Sequence, residues 1–211
     1  MATFTLECFA QSGNAYKAAL LLALTKADWK PEFVDFFNGG ARTPVFLAKN
    51  AMGEVPVLHH DEKTLTQSAV ILDYLSRELD AFRIDTDEDT RLEAMRWLFW
   101  DNHKLTNYTA TLRFLLNFAN TGDTPVTEFM TARRNTAFKV LERQLAQRTW
   151  IVGDKPTIVD LSCSGYLFWP DELNVDFAAD WPAINAWLSR IKALDGWSHP
   201  YDLMPGHPIP S

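Results

Sequence analysis

The sequence predicts an α/β unit followed by an all-helical one. Two observations carry that reading. Within the first eighty residues, short alternating patterns interleave with helical ones in the order strand, helix, strand, short helix, two strands, helix. Beyond residue 88 the strand signals vanish and only helical periods remain. The 211 residues are 47% apolar and 13% aromatic, ample for one large or two modest cores and too apolar for a disordered chain.

Taken in order, residues 3–8 alternate Phe4, Leu6 and Cys8 with Thr3, Thr5 and Glu7, the period of a strand. Ser12 stands at an N-cap, and residues 16–25, rich in Ala and Leu, form a helix. Residues 28–31 break it, and a second strand covers 32–36. Thr43-Pro44 opens a short helix ending at Asn50. Residues 55–59 and 63–65, joined by Asp61-Glu62, make an antiparallel pair. Residues 67–79 close the unit as a helix with Val70, Ile71, Tyr74 and Leu75 on one face. This order is that of a thioredoxin-like domain, spanning residues 1–80.

Residues 81–87 connect to a helical domain over 88–200. One long helix is expected over 90–118, with Leu92, Met95, Leu98 and Phe99 as its first inner face. A loop at 120–125 leads to a helix reaching about 149, and further helices cover 157–169 and 183–194. Residues 201–211, with four prolines from 200 onward, predict an extended tail.

Charge and cysteine usage bound the function. The net charge is −7, shared by both halves, with no basic stripe; nucleic acid and anionic membranes are not the expected partners. No run approaches a membrane span, and the N-terminus lacks the signature of a signal peptide. Cys8 and Cys163 lie far apart, and the histidines are scattered, with His59 and His60 on opposite faces of a strand. A soluble, metal-free protein of the cytoplasm is expected.

The most informative stretch is Glu54-Val55-Pro56-Val57-Leu58, followed by Gln67-Ser68 at a helix start. A proline inside an apolar strand pattern removes a ladder donor. A cis Val55-Pro56 bond would account for it, leaving the Val55 amide and carbonyl free for a ligand. Gln67-Ser68 adds an amide, a hydroxyl and free helix N–H groups, a seat for a carboxylate.

That arrangement, residues 50–58 followed by Gln67-Ser68-Ala69-Val70-Ile71-Leu72-Asp73-Tyr74-Leu75, resembles the glutathione S-transferases. Ser12-Gly13-Asn14-Ala15-Tyr16-Lys17 is similar to the Ser-Pro-Asn-x-x-Lys turn of serine-type bacterial members. Gly153 to Asp160 resembles the family's capped core helix, and the closing Gly196-Trp197-Ser198-His199-Pro200 is also similar. The likeness covers almost the whole chain.

The resemblance implies a dimeric enzyme that conjugates glutathione to a small hydrophobic electrophile. The thiolate is the nucleophile, and a free cysteine thiol, with a pKa of about 8.5, is mostly protonated at neutral pH. A hydroxyl donor at a helix N-terminus lowers that value. Ser12 has the position for it; position alone favours a plain cap, and the resemblance assigns the catalytic role. Tyr16 and Cys8 are rivals, the first expected in packing and the second as a buried, inert thiol. Cys163 is expected in the core. Gln67 and Ser68 are the family's positions for the γ-glutamyl carboxylate, and Val55 pairs with the cysteinyl backbone. Thr157 and Asp160 form a capping box with a purely structural role.

Two positions depart from the family's pattern. Ala41 stands where many relatives carry histidine, and Glu54 where they carry lysine, both near the glycyl carboxylate. Arg42 or Lys49 is the replacement cation. The electrophile site is expected between the domains, with Tyr108 in it; Trp97, Phe99, Trp100 and Phe114 are expected in the core or a subunit interface. Asp101 is expected as a solvated helix acid, with reach toward the γ-glutamyl amine of a partner subunit as the alternative. The alternatives for the protein as a whole are a non-catalytic binding protein that keeps the fold, favoured by Ala41 and Glu54, and a glutathione-dependent disulfide or peroxide reductase.

Overall fold

A computed structural model describes residues 3–84 and 87–208. Positions 85–86 of the connection and 209–211 of the tail lie outside the described residues. The chain divides into two compact units, one running to Arg83 and resuming at Leu194, the other between them. Segment 194–200, expected in the helical unit, therefore belongs to the first.

In the first unit, β1 (Phe4–Cys8) is followed by α1 (Gly13–Leu24), β2 (Trp29–Phe33), α2 (Pro44–Lys49), β3 (Val57–His60), β4 (Lys63–Thr66) and α3 (Ser68–Glu78). The sheet order is β2-β1-β3-β4, with β2 parallel to β1 and the other pairs antiparallel. This is the expected thioredoxin-like arrangement. Two strands differ from expectation: β3 begins at Val57, leaving Val55-Pro56 in the loop before it, and β2 begins at Trp29 and runs through Pro31, which pairs with Leu6. Because β2 is an edge strand, a residue without an amide proton can sit there with its nitrogen facing away from the ladder.

The register gives the sheet two faces. Leu6 opposes Leu58 and Phe4 opposes His60 on one; Glu7 opposes Val57 and Thr5 opposes His59 on the other. His60 Nδ1 lies 2.6 Å from the Tyr74 hydroxyl on α3, and His59 Nε2 lies 2.6 Å from Glu7. The adjacent histidines thus point to opposite faces, as the strand period requires. On α3 the buried apolar residues are Ile71, Leu72 and Leu75, whereas Val70 faces solvent.

α1 starts at Gly13, earlier than its periodicity suggests, and is buried on nearly every side from Ala15 to Leu22. Segment 194–208 packs onto it and onto the loop before it. Tyr16 donates its hydroxyl to Ser198 O at 2.8 Å, and Ala10 N–H donates to Pro205 O at 2.8 Å. The tail is not wholly extended, since α11 (Pro200–Leu203) is a turn of helix.

The second unit is all-helical. α4 (Glu88–Trp100) and α5 (Asn107–Asn117) follow one helical path, interrupted by a π-helical segment at Asp101–Thr106. α6 (Pro125–Leu145), α7 (Ile158–Ser164), α8 (Pro170–Leu173), α9 (Phe177–Asp180) and α10 (Pro182–Lys192) complete it. The helix expected over 157–169 ends sooner, at Ser164. The capping box is present: Thr157 N–H donates to Asp160 Oδ2 at 2.9 Å. Asp160 Oδ1 also accepts from Ile151 N–H and Trp187 Nε1, tying α7 to α10. Cys163 is buried, as expected.

The inner face of α4 is Ala94 and Trp97, not the expected set; Leu92, Met95 and Phe99 are exposed. Leu92, Met95 and Phe99 still share one face, at i, i+3 and i+7, so periodicity found an apolar stripe but could not say what covers it. No helix among the described residues is long and apolar enough to cross a membrane.

Candidate functional site

Three chain segments converge in the first unit. The first is the loop into α1. Ser12 has extended backbone (φ −90°, ψ 108°), and its Oγ accepts from Ala15 N–H at 3.2 Å, so the residue is an N-cap whose hydroxyl proton remains available to donate. Ser12 is 6% exposed. Next comes Asn14, whose side-chain oxygen accepts from Ser68 Oγ at 3.4 Å and so links the first helix start to that of α3. Sequence reasoning did not single out Asn14, although it stands inside the Ser12 turn motif.

The second segment is the loop before β3. The Val55-Pro56 peptide is cis. Among the described residues, the Val55 amide and carbonyl have no partner in the protein. Asn50 braces this loop by donating Nδ2 to Glu54 O at 2.7 Å. Gly53 (φ +63°) allows Arg42 to lie across it: a Cβ there would fall 2.5 Å from Arg42 Nη1, which donates to Met52 O at 3.3 Å.

The third segment is the start of α3. Gln67 has φ 70° and ψ 118°, a left-handed conformation that costs a non-glycine residue roughly 1–3 kcal/mol. No side chain caps this helix, in contrast to α1, α2, α6 and α7. The result is a helix N-terminus with free N–H groups beside an unpaired strand-like loop. A group with a carboxylate and a peptide backbone is the complementary ligand.

Comparison with known proteins agrees with this geometry. The family model for the glutathione S-transferase N-terminal domain matches residues 4–77, and that for the C-terminal domain matches residues 109–195. A crystal structure of a glutathione S-transferase from Xanthobacter autotrophicus Py2 is similar at 32% identity, covering 92% of this chain and 95% of that one with a TM-score of 0.84. The chain belongs to the glutathione S-transferase family. Its relatives include the maleylacetoacetate isomerase of Rhizobium meliloti, 28% identical over 90% of this chain and 92% of its own length. The disulfide-bond oxidoreductase YfcG of Escherichia coli is 24% identical over 88% of each chain.

In this transferase both rivals to Ser12 are locked in the core. Burial pushes the Cys8 thiol up to about 12, so it is a poor nucleophile at neutral pH. Tyr16 is fully buried, its phenol pushed upward by desolvation and bonded to Ser198.

The two candidate cations separate. Lys49, at the end of α2, pairs with buried Glu7 at 2.7 Å, and His59 shares that carboxylate. Arg42 lies instead on the Met52–Gly53 loop. Ala41 is buried in the 3₁₀ turn Gly40–Arg42, so the cation of this turn stands one residue later than histidine does in the family's pattern. Glu54 accepts from Gln67 Nε2 at 3.2 Å, which brings a carboxylate to the α3 end of the site.

In the helical unit, the Tyr108 hydroxyl accepts from Arg133 Nη2 at 3.1 Å, and that bond holds the phenol below its ordinary range. It borders a small cleft of about 140 Å³ with Trp100, Ala137 and Val140. Asp101 corrects its expectation. It is fully buried, accepting from Thr106 Oγ1 at 2.7 Å and Ser162 Oγ at 2.6 Å, because it lies on the same inward stripe as Ala94 and Trp97. It is neither a solvated helix acid nor presented to a partner. Trp97 is core, while Phe99 and Phe114 are exposed.

Proposed function

We propose that this glutathione transferase activates the thiol of glutathione with Ser12 and adds it to a small hydrophobic electrophile. The carrying observation is the uncapped N-terminus of α3 at strained Gln67, beside the free Val55 backbone. Val55 pairs with the cysteinyl backbone, Gln67 and Ser68 hold the γ-glutamyl carboxylate, and Arg42 faces the glycyl carboxylate. Lys49, engaged by Glu7, is the weaker candidate for that last role.

With the tripeptide so placed, its sulfur lies near the start of α1. The Ser12 hydroxyl donates to it, and the positive end of α1 adds to the field that favours the anion. The thiol proton leaves to solvent. The sulfur lone pair then forms the C–S bond as halide departs or an epoxide C–O bond opens. Tyr108 is assigned to the electrophile, its phenol acidified by Arg133.

The exposed apolar stripe Leu92, Met95 and Phe99 supports a homodimer, which would cover it. Cys8 and Cys163 are buried and form no disulfide, which suits a reducing compartment such as the cytoplasm. Calorimetric titration with glutathione, followed by the ultraviolet thiolate signal of the complex across pH, tests the central reading. Binding with a lowered thiol pKa is expected. Absence of binding at millimolar glutathione would overturn it in favour of a binding protein for another ligand.

A further inference from the structure

The loop that carries Ser12 is held from outside by the last described residues of the chain. Gln11, directly before Ser12, is 4% exposed, and its amide is bracketed by the backbone of His207. Gln11 Nε2 donates to His207 O at 2.7 Å, and His207 N–H donates to Gln11 Oε1 at 3.1 Å. Ala10 N–H donates to Pro205 O at 2.8 Å. Between those two contacts stands Gly206, where a Cβ would meet Ala10 Cβ at 2.7 Å and Gln11 Oε1 at 2.9 Å. Only glycine permits this approach.

The His207 ring closes the arrangement. Its centroid lies 4.5 Å from that of Phe37, 5.1 Å from Phe33 and 5.7 Å from Phe9. Its Nε2 accepts from Phe37 N–H at 3.4 Å, and its Nδ1 lies 3.6 Å from Asp35. The strap therefore ties the end of β1 to the loop after β2, with the Ser12 turn between. From within, that turn is held by Ser12 N–H donating to Phe9 O at 3.0 Å.

We propose that Pro205–His207 and Gln11 are positioning elements for thiolate activation: the strap sets the Ser12 turn so that its hydroxyl is aimed at the sulfur before glutathione arrives. This rests on the assignment of Ser12 as the thiol's donor. A surface loop lacking such a brace samples many positions, and a donor misplaced by about 1 Å can cost a hundredfold in rate. Gln11 touches neither sulfur nor electrophile in this scheme. It acts through the position of Ser12.

The test compares Gln11→Met, which removes both side-chain bonds to His207 at similar volume, with Gly206→Ala, which pushes the strap outward. Each is measured alone and combined with Ser12→Ala. The readouts are glutathione affinity by calorimetry, the pKa of the bound thiol by its thiolate absorbance, and turnover of an aryl halide. Both single variants should raise the bound-thiol pKa by about half a unit to one unit, cutting thiolate at neutral pH by about 1.5- to 8-fold. Glutathione affinity should change by less than about twofold. In the Ser12→Ala background neither should add a further shift.

If Ser12→Ala raises the thiol pKa but Gln11→Met and Gly206→Ala leave it unmoved, the strap is merely structural and the proposal fails. Shifts that add independently to that of Ser12→Ala also refute it. If Ser12→Ala itself moves nothing, the donor assignment fails first and the positioning role with it. Should Gln11→Met not fold, Gly206→Ala reads the same quantities from the other side of the clamp.

Discussion

Removing the Ser12 hydroxyl separates two roles that the structure superimposes on one atom. Ser12 Oγ caps α1 by accepting from Ala15 N–H at 3.2 Å, and its proton is free to donate to a sulfur. Replacement by alanine at an N-cap costs about 1 kcal/mol, whereas glycine costs only a few tenths. For a domain pair of this size, about 1 kcal/mol lowers Tm by roughly 2–4 °C. A hydrogen bond to a charged acceptor contributes about 1.5–3 kcal/mol, which is one to two pKa units at about 1.4 kcal/mol each. Ser12→Ala should therefore lose both stability and thiolate, while Ser12→Gly should lose thiolate and almost no stability. Turnover at pH 7 should fall about 8- to 25-fold in both variants and recover as pH rises through the elevated thiol pKa. The assays are thermal unfolding, thiolate absorbance of the glutathione complex and a pH–rate profile. A lowered Tm in Ser12→Ala with the bound-thiol pKa unchanged in both variants would reduce Ser12 to a cap.

Three further outcomes are expected. Gln67→Gly removes a strained left-handed side chain worth roughly 1–3 kcal/mol, partly offset by glycine's larger unfolded-state entropy; Tm should hold or rise while calorimetry shows at least about tenfold weaker glutathione binding. Cys8→Ser should cost about 1–3 kcal/mol in urea unfolding through a buried hydroxyl, yet leave turnover unchanged; loss of activity would restore a cysteine mechanism. Asp160, buried and pushed up to about 6, binds its proton more tightly folded than unfolded. Its contribution is thus greatest below about pH 4, is lost as pH rises through about 6, and is level above. Unfolding free energies across that window should fall for the wild type relative to Asp160→Asn; a constant difference would contradict the buried-charge reading.

What was legible in the chain were relations spanning a few residues. The Ser12 cap and the Thr157–Asp160 box are both satisfied within three positions, so side-chain chemistry alone implies them. Strand alternation likewise placed Phe4, Leu6 and Cys8 on one face, and Val55-Pro56 announced an irregular backbone beside a helix start. The candidate ligand-holding groups Val55, Gln67 and Ser68 were therefore visible early. Asn14 was overlooked because its link to Ser68 joins helix starts 54 positions apart.

Tertiary structure decided everything that depends on a distant neighbour. Pro31 is tolerated because β2 lies at the sheet's edge, a property of strand order. Lys49 turns to Glu7 because β1 brings that buried carboxylate within 2.7 Å across 42 positions, leaving Arg42 on the opposite loop. Asp101 is internal because Thr106 and Ser162 supply the hydrogen bonds its burial demands. Local periodicity fixes which residues share a face. Only packing determines whether that face meets protein, ligand or water, and here it also brings residue 207 back to the turn that holds Ser12.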